Sequence, residues 1–208
     1  VAHNAGASIS SQISSTTEAV KEKKRGFNIF NLTLSKIGAA SRGKCVLAFG
    51  NNDKFPRYAV DFKQEDFYLP EAKVLQRHCL LPNQAFESLK RFGYYSLQLS
   101  EKMTLLVLNT VIYASKKKEL HTSKVADPFG QFAWLEKQLA SAIDLKTQVY
   151  IAGHIPPGVS SYSLSDLWES QFAVMYWNLL HMYQDVVAGQ FFGHEHRDEF
   201  RVHDFKDS

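Results

Sequence analysis

Three short apolar runs in this chain each lead into glycine and a polar side chain able to ligate a cation. They are Val46-Leu47-Ala48-Phe49 before Gly50-Asn51-Asn52-Asp53, Val149-Tyr150-Ile151-Ala152 before Gly153-His154-Ile155-Pro156-Pro157-Gly158, and Gln190-Phe191-Phe192 before Gly193-His194-Glu195-His196. Runs this short and this apolar read as buried strands. Every candidate ligand then lies just past a core strand, where ligands gather in sheet-based enzymes. Imidazole nitrogens and amide oxygens hold a divalent ion while leaving a position for water or a phosphate oxygen. In extended backbone His194 and His196 would project to one side and Glu195 to the other, because side chains alternate with a period of two.

Taken singly, each piece has an ordinary reading. A lone His-x-His arises by chance, His154 fits a loop before a rigid Pro-Pro turn, and Gly-Asn-Asn-Asp is turn chemistry. Their shared placement after three apolar runs is what favours a metal site.

The rest of the chain alternates helices and strands, an α/β pattern. Ser8–Thr17 and Glu18–Arg25 read as one helix with Gly26 as its stop, and Leu32–Ala40 as a second, short one. Residues 51–93 are less regular, punctuated by Pro56, Pro70 and Pro82, with an amphipathic turn or two from Asn83 to Arg91 ending at Gly93. Tyr94–Leu99 and Thr104–Asn109 read as neighbouring strands around a polar Ser100-Glu101-Lys102 turn. The clearest helix runs from Pro128 to about Ala142: Asp127 caps it, Pro128 fits its first position, and Phe132, Leu135, Leu139 and Ile143 recur at helical spacing. An aromatic-rich helix is expected from Asp166 to Tyr183, with Trp168 and Tyr162 placed to line a cleft behind His154, and Arg197–Phe205 is expected to form a closing strand.

With 208 residues, of which 45% are hydrophobic, the chain fits one globular domain over residues 1–208. The net charge of +3 is mild, and the basic runs Lys21–Arg25 and Lys116-Lys117-Lys118 are few. Nucleic acid is therefore not an expected partner, although Lys116–Lys118 could approach an anionic substrate or a membrane surface. No apolar stretch reaches the roughly 20 residues needed to span a bilayer. Cys45 and Cys79 either pair or stay as buried thiols, and Asn31-Leu32-Thr33 is a glycosylation sequon.

The order Gly-Asn-Asn-Asp, Gly-His-Ile-Pro-Pro-Gly, Gly-His-Glu-His-Arg-Asp-Glu-Phe resembles the calcineurin-like metallophosphoesterases, and within them the acid-sphingomyelinase-like branch. Leu105-Leu106-Val107-Leu108-Asn109-Thr110 and Asp127-Pro128-Phe129-Gly130-Gln131-Phe132-Ala133-Trp134-Leu135 read the same way, so the resemblance is nearly continuous from about residue 44 to 205. It implies a four-layer sandwich of two mixed sheets flanked by helices, with two divalent metal ions, zinc or else manganese or iron, at one end. Asn51, His154 and His194 would bind one ion and His196 the second. The family's Asp-x-His pair and its Gly-Asp, whose carboxylate bridges the ions, do not occur upstream of Asn51. The expectation is a fold incomplete at its N-terminus, whose Val1-Ala2-His3 follows the bridging aspartate, and which alone binds the second metal weakly and is inactive. The resemblance also implies a secreted, lysosomal or vacuolar protein.

For such an enzyme the expected activity is hydrolysis of phosphodiesters of sphingomyelin type, the substrate being a phosphate ester, including a lipid headgroup at a membrane surface. Two metals about 3.5–4 Å apart would activate water and clamp the attacking and leaving oxygens. An alkoxide leaving group also needs a proton. Where sphingomyelinases resemble Gly-Asn-His-Glu, this chain carries Asn52, which cannot act as a general acid, so His3 is the candidate donor. Gly-Asn-Asn-Asp instead resembles endopolyphosphatases, keeping phosphoanhydride hydrolysis as an alternative. A non-catalytic scaffold that has lost metal ligands is a third.

Overall fold

The computed structural model describes residues 3–54, 56–116 and 125–202, with side chains from residue 18 onward. Four strands form one mixed sheet in the order β1-β2-β3-β4: β1 Tyr95–Ser100, β2 Met103–Val107, β3 Gln148–Ala152 and β4 Val187–Phe191. The β1–β2 hairpin is antiparallel, as its polar turn predicts. β2–β3 and β3–β4 are parallel, and the helices that join them, α4 (Gln131–Asp144) and α5 (Ser170–Met182), lie in the crossovers. The α/β class and the mixed sheet flanked by helices match expectation; the second sheet of a full sandwich is not found among the described residues.

Strand alternation divides the core in two. Leu106, Leu108, Val149 and Ile151 face one side and pack with Phe132, Leu135 and Leu139 of α4 and with Phe172, Tyr176 and Leu180 of α5. Leu105 and Val107 face the other side, where Tyr150 and Ala152 join Leu75 of α2 (Leu69–His78), Leu89 of α3 (Asn83–Phe92) and Leu34 of α1 (His3–Ala40). Because both faces are covered, β2 and β3 read as continuous apolar runs rather than alternating ones.

Several local expectations hold. Asp127 does accept amides at the start of α4, from Phe132 N at 2.9 Å and Ala133 N at 3.0 Å, but the helix begins at Gln131 and not at Pro128, which instead opens a 3-10 turn, Pro128–Gly130, kinked by Phe129 at φ 58°. Gly93 ends α3 in the left-handed region at φ 81°, where a Cβ would carry a steric penalty. Others need correction. Helix α1 runs through Gly26 without a break, since a glycine costs a helix only about 1 kcal/mol. The real stop is Gly43, at φ 76°, which donates to Gly38 O at 2.7 Å. Helix α2 carries Pro70 in its first turn, where no N–H is needed, so that proline starts a helix instead of interrupting the chain.

Val46–Phe49 is not a ladder strand. The Tyr95 hydroxyl takes the place of a neighbouring strand, accepting from Leu47 N at 3.0 Å and donating to Leu47 O at 2.9 Å. Helix α5 begins at Ser170 rather than Asp166. Residues 197–202 form no strand, and 203–205 lie outside the described residues. Cys45 and Cys79 are joined in a disulfide, which ties the segment before Gly50 to the end of α2. Ile143 leaves the apolar stripe of α4 for solvent, and Ala142 takes its place in the core.

Candidate metal centre

Asn51 sits in a turn closed by its own sequence. Asp53 Oδ2 accepts from Gly50 N at 2.7 Å, and Asp53 N donates back to Gly50 O at 3.2 Å. Lys54 anchors the turn to α2 through a 2.7 Å ion pair with Glu71 and a 2.8 Å bond to Phe67 O. Burial raises the Asp53 carboxyl above its usual range, and the Gly50 N–H and Lys54 pull it partly back. Asn51 Nδ2 donates to Asn52 Oδ1 at 3.4 Å, which turns Asn51 Oδ1 away from Asn52 and into the molecule.

His154 follows β3 by two residues and His194 follows β4 by three, so adjacent parallel strands deliver both rings to the carboxyl edge of the sheet. Gly153 leaves no room for a side chain, since a Cβ there would stand 2.6 Å from Thr110 Cγ2 and 2.9 Å from Phe192 Cε1. The His154 ring lies over Gly50, whose Cβ would meet three of its ring atoms at 3.1 Å. At the next turn Gly193 N donates to His154 O at 2.9 Å and Glu195 N to Gly193 O at 2.9 Å.

The consequence is a convergence of three polar atoms. His154 Nε2 is 2.9 Å from Asn51 Oδ1, His194 Nδ1 is 3.1 Å from the same oxygen, and the two nitrogens are 3.3 Å apart. Ligands about 2.0–2.2 Å from a tetrahedral ion stand roughly 3.3–3.6 Å from one another. The observed triangle is therefore within a few tenths of an ångström of one face of such a set. The same contacts act as hydrogen bonds into an acceptor-only amide oxygen when the rings carry protons on those nitrogens. Burial, followed by the charges of His194 and His196, lowers the His154 pKa to about 4. Burial also lowers that of His194; Glu195 opposes the shift, and Lys116 and His196 add to it. Both imidazoles are thus neutral at neutral pH, the form that binds a metal. The donor set fits a divalent ion of borderline character.

Other expected site residues stand apart. His194 and His196 both have positive φ, 73° and 55°, so the segment is coiled and the same-side projection expected of extended backbone fails. Among the described residues no three of the histidine, cysteine, aspartate and glutamate side chains gather as a metal group; the triangle needs the Asn51 amide. Asn52 is exposed and bonds to Asn51. His3 is the first residue of α1, with its side chain outside the described residues. Trp168 does not line a cleft: it is 1% exposed and donates from Nε1 to Ile155 O at 3.0 Å. Tyr162 is exposed, under the Arg197 guanidinium at 5.0 Å.

Sequence reasoning missed the scaffold around the ligands. Thr110 Oγ1 accepts from His154 N at 3.2 Å and from Ile155 N at 2.7 Å. Ser160 donates to Glu195 at 2.7 Å, Ser161 to Glu199 at 2.7 Å, and Arg201 to Pro157 O at 3.2 Å, clasping the loop after His154 to the one after His194. Nothing local in the sequence signals these pairings, which join residues 35 to 45 apart. Lys116 lines a narrow cleft with Tyr58, Asp166 and His194; Lys117 and Lys118 fall outside the described residues.

No family profile matches the chain. Individual relatives do. It is 34% identical over 82% of its length to a sphingomyelinase phosphodiesterase D of Dictyostelium discoideum. It is 33% identical over 76% to an acid sphingomyelinase-like phosphodiesterase 3b of Mus musculus, and 34% identical over 74% to a sphingomyelin phosphodiesterase of Bos taurus. The matched region spans 38%, 35% and 24% of those proteins respectively. The similarity over most of this chain, together with the α/β fold that carries it, places the chain among the acid-sphingomyelinase-like phosphodiesterases.

Proposed function

We propose that the chain carries part of the metal centre of a phosphodiesterase, with Asn51, His154 and His194 holding one divalent ion, zinc for preference, and His196 offered to a second. The observation that carries this is the triangle of Asn51 Oδ1, His154 Nε2 and His194 Nδ1, with edges of 2.9, 3.1 and 3.3 Å. The relatives are named as phosphodiesterases, which favours phosphodiesters over the phosphoanhydride alternative and a hydrolase over an inert scaffold. A bound ion supplies charge for the phosphoryl oxygens and lowers the pKa of a coordinated water.

The chain's own residues do the rest. The Asn52 amide orients Asn51 and has no acid proton to give. His3 is proposed as the donor to the leaving oxygen. Packing of the His154 ring on Gly50, and the Gly193–His154 bond, hold the ligand atoms together, so little reorganisation is needed on binding. Lys116, beside His194 in the cleft, is placed to meet an anionic phosphate. A secreted, lysosomal or vacuolar setting fits the Cys45–Cys79 disulfide, which persists where the medium is oxidising. Among the described residues no helix is long and apolar enough to cross a membrane.

The test is elemental analysis and a chromogenic phosphodiester assay on the chain, alone and with Asp-x-His and Gly-Asp motifs supplied upstream, beside His194→Ala. One retained ion, lost in His194→Ala, with hydrolysis only when the motifs are supplied, is the expected result. No retained metal in either form would sink the proposal.

A further inference from the structure

We propose that Thr110 is the positioning residue of this metal centre, its hydroxyl fixing the backbone of His154 and thereby setting metal affinity. This rests on the reading that Asn51, His154 and His194 are ligands. Thr110 opens the short 3-10 turn Thr110–Tyr113 that follows β2 and is fully buried. Its Oγ1 accepts two consecutive amides, His154 N at 3.2 Å and Ile155 N at 2.7 Å. Ile155 is 1% exposed, so water cannot replace the lost partner. On its other side His154 O accepts from Gly193 N at 2.9 Å, and Gly193 precedes the second ligand. One hydroxyl at the end of β2 therefore braces the turn of β3, which is bonded in turn to the turn of β4. The Thr110 methyl fills the space a Gly153 side chain would occupy, so threonine answers two demands, an acceptor and a packed methyl.

Groups that orient a ligand from outside the coordination sphere typically change metal affinity by about 10- to 100-fold when removed. Thr110→Val keeps the shape and methyl contact but removes the acceptor, whereas Thr110→Ser keeps the hydroxyl. Zinc affinity by competition with a chromophoric chelator, and hydrogen exchange of the His154 and Ile155 amides in metal-free protein, are measured for each.

The expected outcome is zinc binding weakened about 10- to 100-fold in Thr110→Val, faster exchange at both amides, and near-parent behaviour in Thr110→Ser. Unchanged zinc affinity in Thr110→Val, or an equal loss in Thr110→Ser, overturns the proposal while leaving the ligand reading intact. A parent that takes up no zinc overturns both. Should Thr110→Val fail to fold, Thr110→Ala replaces it with the same outcomes.

Discussion

At the carboxyl end of β2, β3 and β4, backbone and side chains are crowded to the limit: Gly153 has no space for a Cβ, His194 and His196 take positive φ, and three polar atoms meet within 3.3 Å. The opposite end of β2 and β3, beside β1, holds a roomier cavity of about 330 Å3, lined by Ser96, Gln98, Thr104, Ser141 and Thr147, with no histidine or cysteine. The larger space carries no ionisable side chain among the residues that line it. What marks a site in this molecule is convergence of lone pairs under steric constraint, and volume is a poor guide to it.

That contrast can be broken in order of expected effect. His194→Ala removes a direct ligand, so zinc affinity should fall by more than the roughly 100-fold that outer groups reach; titration calorimetry showing a smaller loss would remove His194 from the set. Replacing Cys45 and Cys79 together by Ser should lower stability by about 2–4 kcal/mol, given a closed loop of 34 residues. Its zinc affinity should hold, because the Asn51 turn is fixed independently by Asp53 on Gly50 N and by Lys54 on Glu71, and denaturant unfolding alongside zinc titration separates the two effects.

Gly153→Ala forces a Cβ against Thr110 and Phe192 and should cost about 1–3 kcal/mol, with weakened zinc binding as well, since the push falls on the His154 turn. Equal affinity in that variant would show that the crowding is not what places the ring. Ser141→Ala, in the roomy end, should change stability by less than about 0.5 kcal/mol and zinc binding not at all. A measurable loss of zinc there would contradict the division of labour between the two ends.

Much of this was legible in the chain. The β1–β2 hairpin, the Asp127 cap and the Gly93 stop are local devices, each written in adjacent residues. The three glycine-ligand turns were visible too, and Asn51, His154 and His194 do meet. What escaped was set by partners distant in sequence. Val46–Phe49 has a strand's composition, yet its backbone is satisfied by the Tyr95 hydroxyl, 48 residues away. Gly26 carries a stop signal that the rest of α1 outweighs. His194 and His196 would share a face only if the backbone were extended, and no propensity rule anticipates two consecutive-but-one histidines at positive φ. Thr110 falls just past the strand expected over Thr104–Asn109, and its bonds to the His154 turn show only when β3 is laid beside β2.

The central claim specifies not just which residues bind but through which atoms. Long-range proton–nitrogen correlation spectra of the histidine rings during zinc titration test it directly. The account predicts that His154 shifts at Nε2 and His194 at Nδ1 together, saturating at one zinc per chain, with both responses lost in Asn51→Ala. Zinc-induced shifts at the opposite ring nitrogens, or at other histidines while these two stay still, would contradict it.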